Sequence, residues 1–209
     1  MSSVKLSVRG NTNSLMYFEP QIRKILPIVV SAVERQIILP DIEVIVEDKP
    51  EATIPETGMG GFAPDANRLF IRIDPEKESL RKNFEREFRS TLTHELHHCA
   101  RWASVGYGTT LLEAMVSEGL ADHFDIEVNG GDPKPWSVSV EGEELQELRE
   151  KAEPFLNSEY DEAEWFFGAG ELPKWTGYSL GFAIVGDYIE HAGKSASELV
   201  NVKASELVK

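Results

Sequence analysis

Residues 78–102 read ESLRKNFEREFRSTLTHELHHCARW, a run with no glycine or proline. Phe84, Phe88, Leu92 and Cys99 recur at intervals of four and seven, which is the repeat of one helix face, and nothing in the run breaks a helix. The stretch therefore predicts one long helix. Inside it, residues 94–98 are HELHH, so His94 and His98 stand four apart on one face and two imidazoles can reach a single ion while Glu95 projects beside it. Zinc suits such a site: it accepts nitrogen and oxygen donors, is redox-inert, and keeps a position for water whose pKa it lowers towards neutral. Glu95 is then the candidate base that takes the proton of that water as it attacks a carbonyl. Four cysteines would be needed for an all-thiolate cage and the chain has one, Cys99, so any metal must use histidines and carboxylates.

Upstream of this helix the hydrophobic period changes. Ile22, Ile25, Leu26, Val29, Val30 and Val33 predict an amphipathic helix over 21–36, starting after Pro20 and bent near Pro27. Alternation then takes over at Ile42, Val44 and Val46 and returns at Leu69, Ile71 and Ile73, predicting two half-buried strands. ETGMGGFAPDAN (56–67) lies between them and reads as a turn or an irregular edge strand.

Downstream, SVGYG (104–108) breaks the chain, and Thr110 with Glu113 forms a capping box that opens a helix running to about Phe124. NGGDPKP (129–135) is a loop, residues 143–153 form a charged surface helix, and a nearly continuous apolar helix spans 178–189. Ser195 with Glu198 caps a last helix reaching the C-terminus.

Composition narrows the function classes. The chain has 209 residues, 41% of them hydrophobic, enough for one compact domain with a real core. With 36 acidic against 21 basic residues the formal charge is −15, which repels a phosphate backbone and argues against nucleic acid as a partner. No apolar run approaches the roughly 18–20 residues of a membrane span, the first ten residues lack the apolar stretch of a signal peptide, and one cysteine fits a reducing compartment. The expectation is a cytoplasmic protein with no membrane partner.

A glutamate, Glu118, stands twenty positions beyond His98 with Asp122 one helical turn later on the same face. Here the sequence resembles the gluzincin metallopeptidases, the thermolysin-like clan, whose pattern is HExxH followed by a helix-borne glutamate ligand and an aspartate one turn on. The resemblance implies that His94, His98 and Glu118 hold Zn2+ and that Asp122 hydrogen-bonds the outer nitrogen of His94 and fixes its tautomer. Gly119 and Ala121 are small enough to let the two motif-bearing helices approach. An aspartate-liganded site, with Asp122 in place of Glu118, stays open, as does a His94–His97 pair. A metzincin is excluded, because it needs glycine and histidine where Arg101 and Ser104 stand.

TLTHELHHCAR (91–101), TLLEAMVSEGLADHF (110–124), GYSLGFAIVGDYI (177–189) and GGFAPDANRLFIRIDP (60–75) are also similar to a bacterial family of predicted zinc-dependent proteases, a domain of unknown function. Gluzincins commonly take their oxyanion donor from a downstream Tyr or His; the resemblance points to Tyr178, with His123 and His191 behind it. His97 reads as a solvated surface histidine, Cys99 as a buried thiol, and the four tryptophans as core and helix contacts.

The expected architecture is α+β and zincin-like, with a small mixed sheet packed on the HExxH helix. It forms one domain over 1–209, divided into an N-terminal lobe over 1–128 that carries both motif helices and a helical C-terminal lobe over 129–209. The expected function is peptide-bond hydrolysis, with a peptide or protein as partner. Two rivals remain: a metal-stabilised binding module without catalysis, and a metallohydrolase of a non-peptide amide or ester.

Overall fold

The computed structural model describes residues 2–10 and 13–208, with the side chains of residues 13 and 14 left out of the description. The chain divides into two compact units, Met1–Ala103 and Ser104–Lys209.

The first unit is built on a four-stranded mixed sheet in the order β1-β2-β4-β3, formed by β1 (Val4–Arg9), β2 (Ile42–Asp48), β3 (Met59–Asp65) and β4 (Arg68–Ile73). β1 and β4 flank β2 in parallel, and β3 runs antiparallel to β4. The alternation at 42–46 and 69–73 sets the register: Val44 faces Leu69 and Val46 faces Ile71, all four fully buried. As expected, the glycine-rich stretch forms an irregular edge strand, and its pairing with β4 slips between Phe62 and Asp65. The N-terminal strand β1 went unread. Its alternation of Val4, Leu6 and Val8 with Lys5, Ser7 and Arg9 was the available signal.

Two helices cover this sheet. The long helix α2 spans Glu78–Trp102, as its unbroken sequence predicts. The first helix, α1, corrects the expected start after Pro20: it spans Asn13–Glu34 and contains both Pro20 and Pro27. A proline inside a helix costs about 3 kcal/mol. Here burial of Leu15 and Phe18 upstream of Pro20 offsets it, and the Phe18 ring stacks on Phe84 of α2 with centroids 4.4 Å apart.

The second unit is helical: α3 (Leu111–Asn129), α4 (Gly142–Ala152), α5 (Glu162–Phe167), α6 (Thr176–Ala192) and α7 (Ala196–Leu199). Thr110 and Glu113 form the expected capping box, and α3 runs five residues past the expected Phe124, to Asn129. The capping box of Ser195 and Glu198 also forms, but α7 is one turn long and does not continue to the C-terminus. The chain turns instead so that Leu199, Val200, Ala204 and Leu207 are buried, a gain that the β-branched and asparagine-containing stretch Val200–Val202 would not supply as helix. The short helix α5 went unread; its signals were Asp161, which caps Ala163 and Glu164, and Gly168 at φ 69°.

Within this unit α3 crosses α6 at Gly119 and Gly181. A Cβ on either would run into main-chain atoms of the other helix, Gly181 and Met115 respectively. The smallness of Gly119 therefore serves its crossing with α6. No helix of the described residues is long and apolar enough to cross a membrane.

Candidate metal centre

On α2, one helical turn brings the imidazoles of His94 and His98 together. Their Nε2 atoms are 2.9 Å apart, with the ring planes at 83°. Glu95 is buried on the same turn and faces the edge strand β3: a Cβ at position 61 would stand 2.6 Å from the Glu95 Cγ and Cδ, so only glycine admits this carboxylate there. Trp102 ties the end of the helix to the same strand by donating its indole N–H to the Ala63 carbonyl at 2.9 Å. β3 is the terminal strand of the sheet, its outer side bridged only at Met59, by Ile54, among the described residues.

On α3, the capping box fixes where the helix starts and hence where Glu118 and Asp122 point. Both are buried and share one face. Glu118 accepts a hydrogen bond from the Tyr107 hydroxyl at 2.5 Å, and Ser117 Oγ donates to the Tyr107 carbonyl at 3.1 Å. Burial, followed by the charge of Glu118, pushes the Tyr107 phenol well above its ordinary pKa, so it stays protonated as a donor. Asp122 accepts from Ser137 Oγ at 2.6 Å and from the Trp136 indole N–H at 3.4 Å. Tyr107 and Ser137 were not singled out in the sequence, and Trp136 was read there only as a core or helix contact; for Tyr107 the cue was a tyrosine set between two glycines just ahead of the Glu118 helix.

One nitrogen of each histidine and one oxygen of Glu118 lie within 4.8 Å of one another, a group that could hold a metal ion. Two ligand atoms each roughly 2.0–2.1 Å from one ion can be at most about 4 Å apart, and the 2.9 Å between the imidazole nitrogens falls inside that span. Two imidazoles and a carboxylate also match the donor set of zinc sites that keep a position open for chemistry. In donor chemistry the residues present fit the ion.

A family model described as "Predicted Zn-dependent protease (DUF2268)" matches residues 24–209. The chain belongs to this family. Over 124 residues it is also 32% identical to an uncharacterized protein of Bacillus subtilis (strain 168), YjaZ; that alignment takes in 54% of this chain and 46% of the relative, so the chain matches about half of the relative's length. No solved structure matches.

The other tempting residues fall into place differently from one another. His97, expected at the surface, is fully buried, as are its neighbours Leu96 and Cys99 on α2. Cys99 is buried as expected, its thiol pushed far up in pKa by desolvation and then by the charges of Glu95 and Asp65. His123 stacks flat on Phe182, centroids 3.9 Å apart, and its Nε2 lies 2.9 Å from the Phe182 carbonyl. Burial lowers its pKa, so it serves as a neutral bridge to α6. Tyr178, in the first turn of α6, meets Phe166 edge-on at 4.9 Å.

Proposed function

We propose that this chain is a zinc-dependent peptidase of the gluzincin type on a zincin-like fold. The observation that carries the reading is the grouping of His94, His98 and Glu118 with Glu95 buried on the same helical turn as the histidines. His94, His98 and Glu118 hold the ion, and the zinc supplies Lewis acidity, acidifying water and polarising the carbonyl to be cleaved. Glu95 accepts the proton of the attacking water on its carboxylate and passes it to the leaving amine. Gly61, having no Cβ, leaves room for that carboxylate beside β3. Asp122 takes the orienting role towards His94, and Tyr178 that of the oxyanion donor, as the resemblance implies.

The substrate in this reading is a peptide in extended form. β3 is an edge strand with Gly61 beside Glu95, and such an edge pairs main chain to main chain and tolerates many side chains. The cytoplasm is the compartment this reading assigns, from the single buried thiol.

The test is the zinc content of protein purified without chelator, followed by hydrolysis of a panel of peptides and small amides by the wild type and Glu95→Gln. The proposal expects about one zinc per chain in both proteins and peptide cleavage only in the wild type. A wild type that zinc addition cannot load, or a Glu95→Gln variant that cleaves as fast as the wild type, would overturn it.

A further inference from the structure

We propose that Tyr107 is a positioning residue for Glu118, its hydroxyl holding the carboxylate in the one orientation that serves a metal. The inference rests on the metal reading of Glu118 above. It starts from how the Tyr107 loop is made. Gly106 and Gly108 both sit at positive φ, 84° and 99°, so the main chain on each side of the tyrosine takes a path open to glycine and strained for other residues. Gly108 lies so close to Glu113 that a Cβ would overlap that side chain. Glu113 in turn accepts from Thr109 N at 2.9 Å and Thr110 N at 3.0 Å, tying the loop to the first turn of α3. Ser117 Oγ, on the next turn, holds the Tyr107 carbonyl. The phenol is thus anchored at its main chain from two turns of α3 and delivered to Glu118 Oε1 at 2.5 Å.

This arrangement does specific work for a ligand. A carboxylate on a two-torsion stem can rotate and present either oxygen or both. A short hydrogen bond from a protonated phenol occupies Oε1, stops that rotation and leaves the full negative charge on the carboxylate, since the donor is neutral. Outer partners of this kind contribute roughly 10–100-fold to metal affinity. A purely structural tyrosine would affect folding and leave the metal's environment alone, which is the distinction the experiment reads.

Zinc affinity is measured by competition with a chromophoric chelator for the wild type, Tyr107→Phe and Tyr160→Phe, alongside the visible spectrum of each protein loaded with Co2+ in place of zinc. Tyr107→Phe keeps the ring and removes only the hydroxyl; Tyr160→Phe removes another partly buried phenol of the same unit. The expected result is a zinc dissociation constant raised roughly 10–100-fold in Tyr107→Phe, with altered intensity in the cobalt bands, and wild-type values in Tyr160→Phe. Unchanged affinity and an unchanged cobalt spectrum in Tyr107→Phe, with the wild type loading normally, would overturn this inference while leaving the peptidase reading standing. A wild type that takes up neither metal would overturn both. Should Tyr107→Phe fail to fold, Ser117→Ala releases the Tyr107 carbonyl and keeps the phenol; it should weaken zinc binding in the same direction by a smaller factor, and unchanged binding there counts against the inference equally.

Discussion

Gly61 of the edge strand lies flush against Glu95 of the long helix, so close that a methyl group on residue 61 would stand 2.6 Å from the Glu95 Cδ. The contact joins the sheet to the carboxylate proposed as the base, and both residues come from the same compact unit.

Replacing Gly61 by alanine should therefore push the Glu95 side chain out of place. Overpacking of this kind costs about 1–3 kcal/mol, to be read from the midpoint of urea unfolding, and peptide cleavage should fall with zinc content unchanged. A Gly61→Ala protein as stable and active as the wild type would show that Glu95 does not depend on that strand.

Zinc should stabilise the folded chain, because an ion that binds only the folded state adds about 2.7 kcal/mol when free metal is a hundredfold above its dissociation constant. For a chain of this size that is a rise of roughly 5–10 °C in melting temperature. Thermal unfolding with and without zinc checks it. His98→Ala should lose the rise, and a rise that survives the substitution would place the metal elsewhere.

Gly119→Ala should be among the more damaging single-methyl changes in the molecule. The added Cβ meets the Gly181 carbonyl and not a movable side chain, so α3 and α6 must separate. The expected cost is about 3 kcal/mol or somewhat more, measured by chemical denaturation. Gly186→Ala, on the same α6 but with only His123 ring atoms at 3.3–3.4 Å from its new Cβ, should cost distinctly less.

Alkaline unfolding offers a pH test with a defined sign. Burial, and then the charges of Glu162 and Glu118, raises the Tyr160 phenol from 10.0 to about 12. A group raised in the folded state contributes stability that is fully present below its unfolded value and is lost as pH climbs through the folded one. Stability should therefore fall between about pH 10 and 12. The fall should be shallower in Tyr160→Phe, as followed by denaturant titrations at fixed pH; an identical slope would remove Tyr160 as a contributor.

Much of the fold was legible in the chain because its signals are local. The helix over 78–102 needed only unbroken propensity and a repeat of four and seven, and the structure ends it at the same residues. The capping boxes at Thr110 and Ser195 formed because each is settled within four residues. Where a rival lay farther off, the reading failed. Pro20 looked like a helix start, yet α1 continues through it because Phe18 finds Phe84 more than sixty residues away. Ser195 opened a helix that stopped after one turn once burial of Leu207 outweighed local propensity.

The pairing of the histidines and the place of Glu95 beside them followed from helix geometry alone: residues four apart share a face whatever surrounds them. So did the shared face of Glu118 and Asp122. Tertiary structure decided the rest. His97 became a core residue although it lies off the apolar repeat of Phe84, Phe88, Leu92 and Cys99, so periodicity did not register its burial. Gly61 met Glu95, Ser137 met Asp122, and Gly119 met α6, each through segments distant in sequence. Tyr107 reached Glu118 through a loop whose shape depends on two glycines at positive φ and a serine one turn further along α3. Local sequence fixes which side chains a helix presents together; what those side chains then touch is set by how distant segments pack, where no short pattern in the chain carries the information.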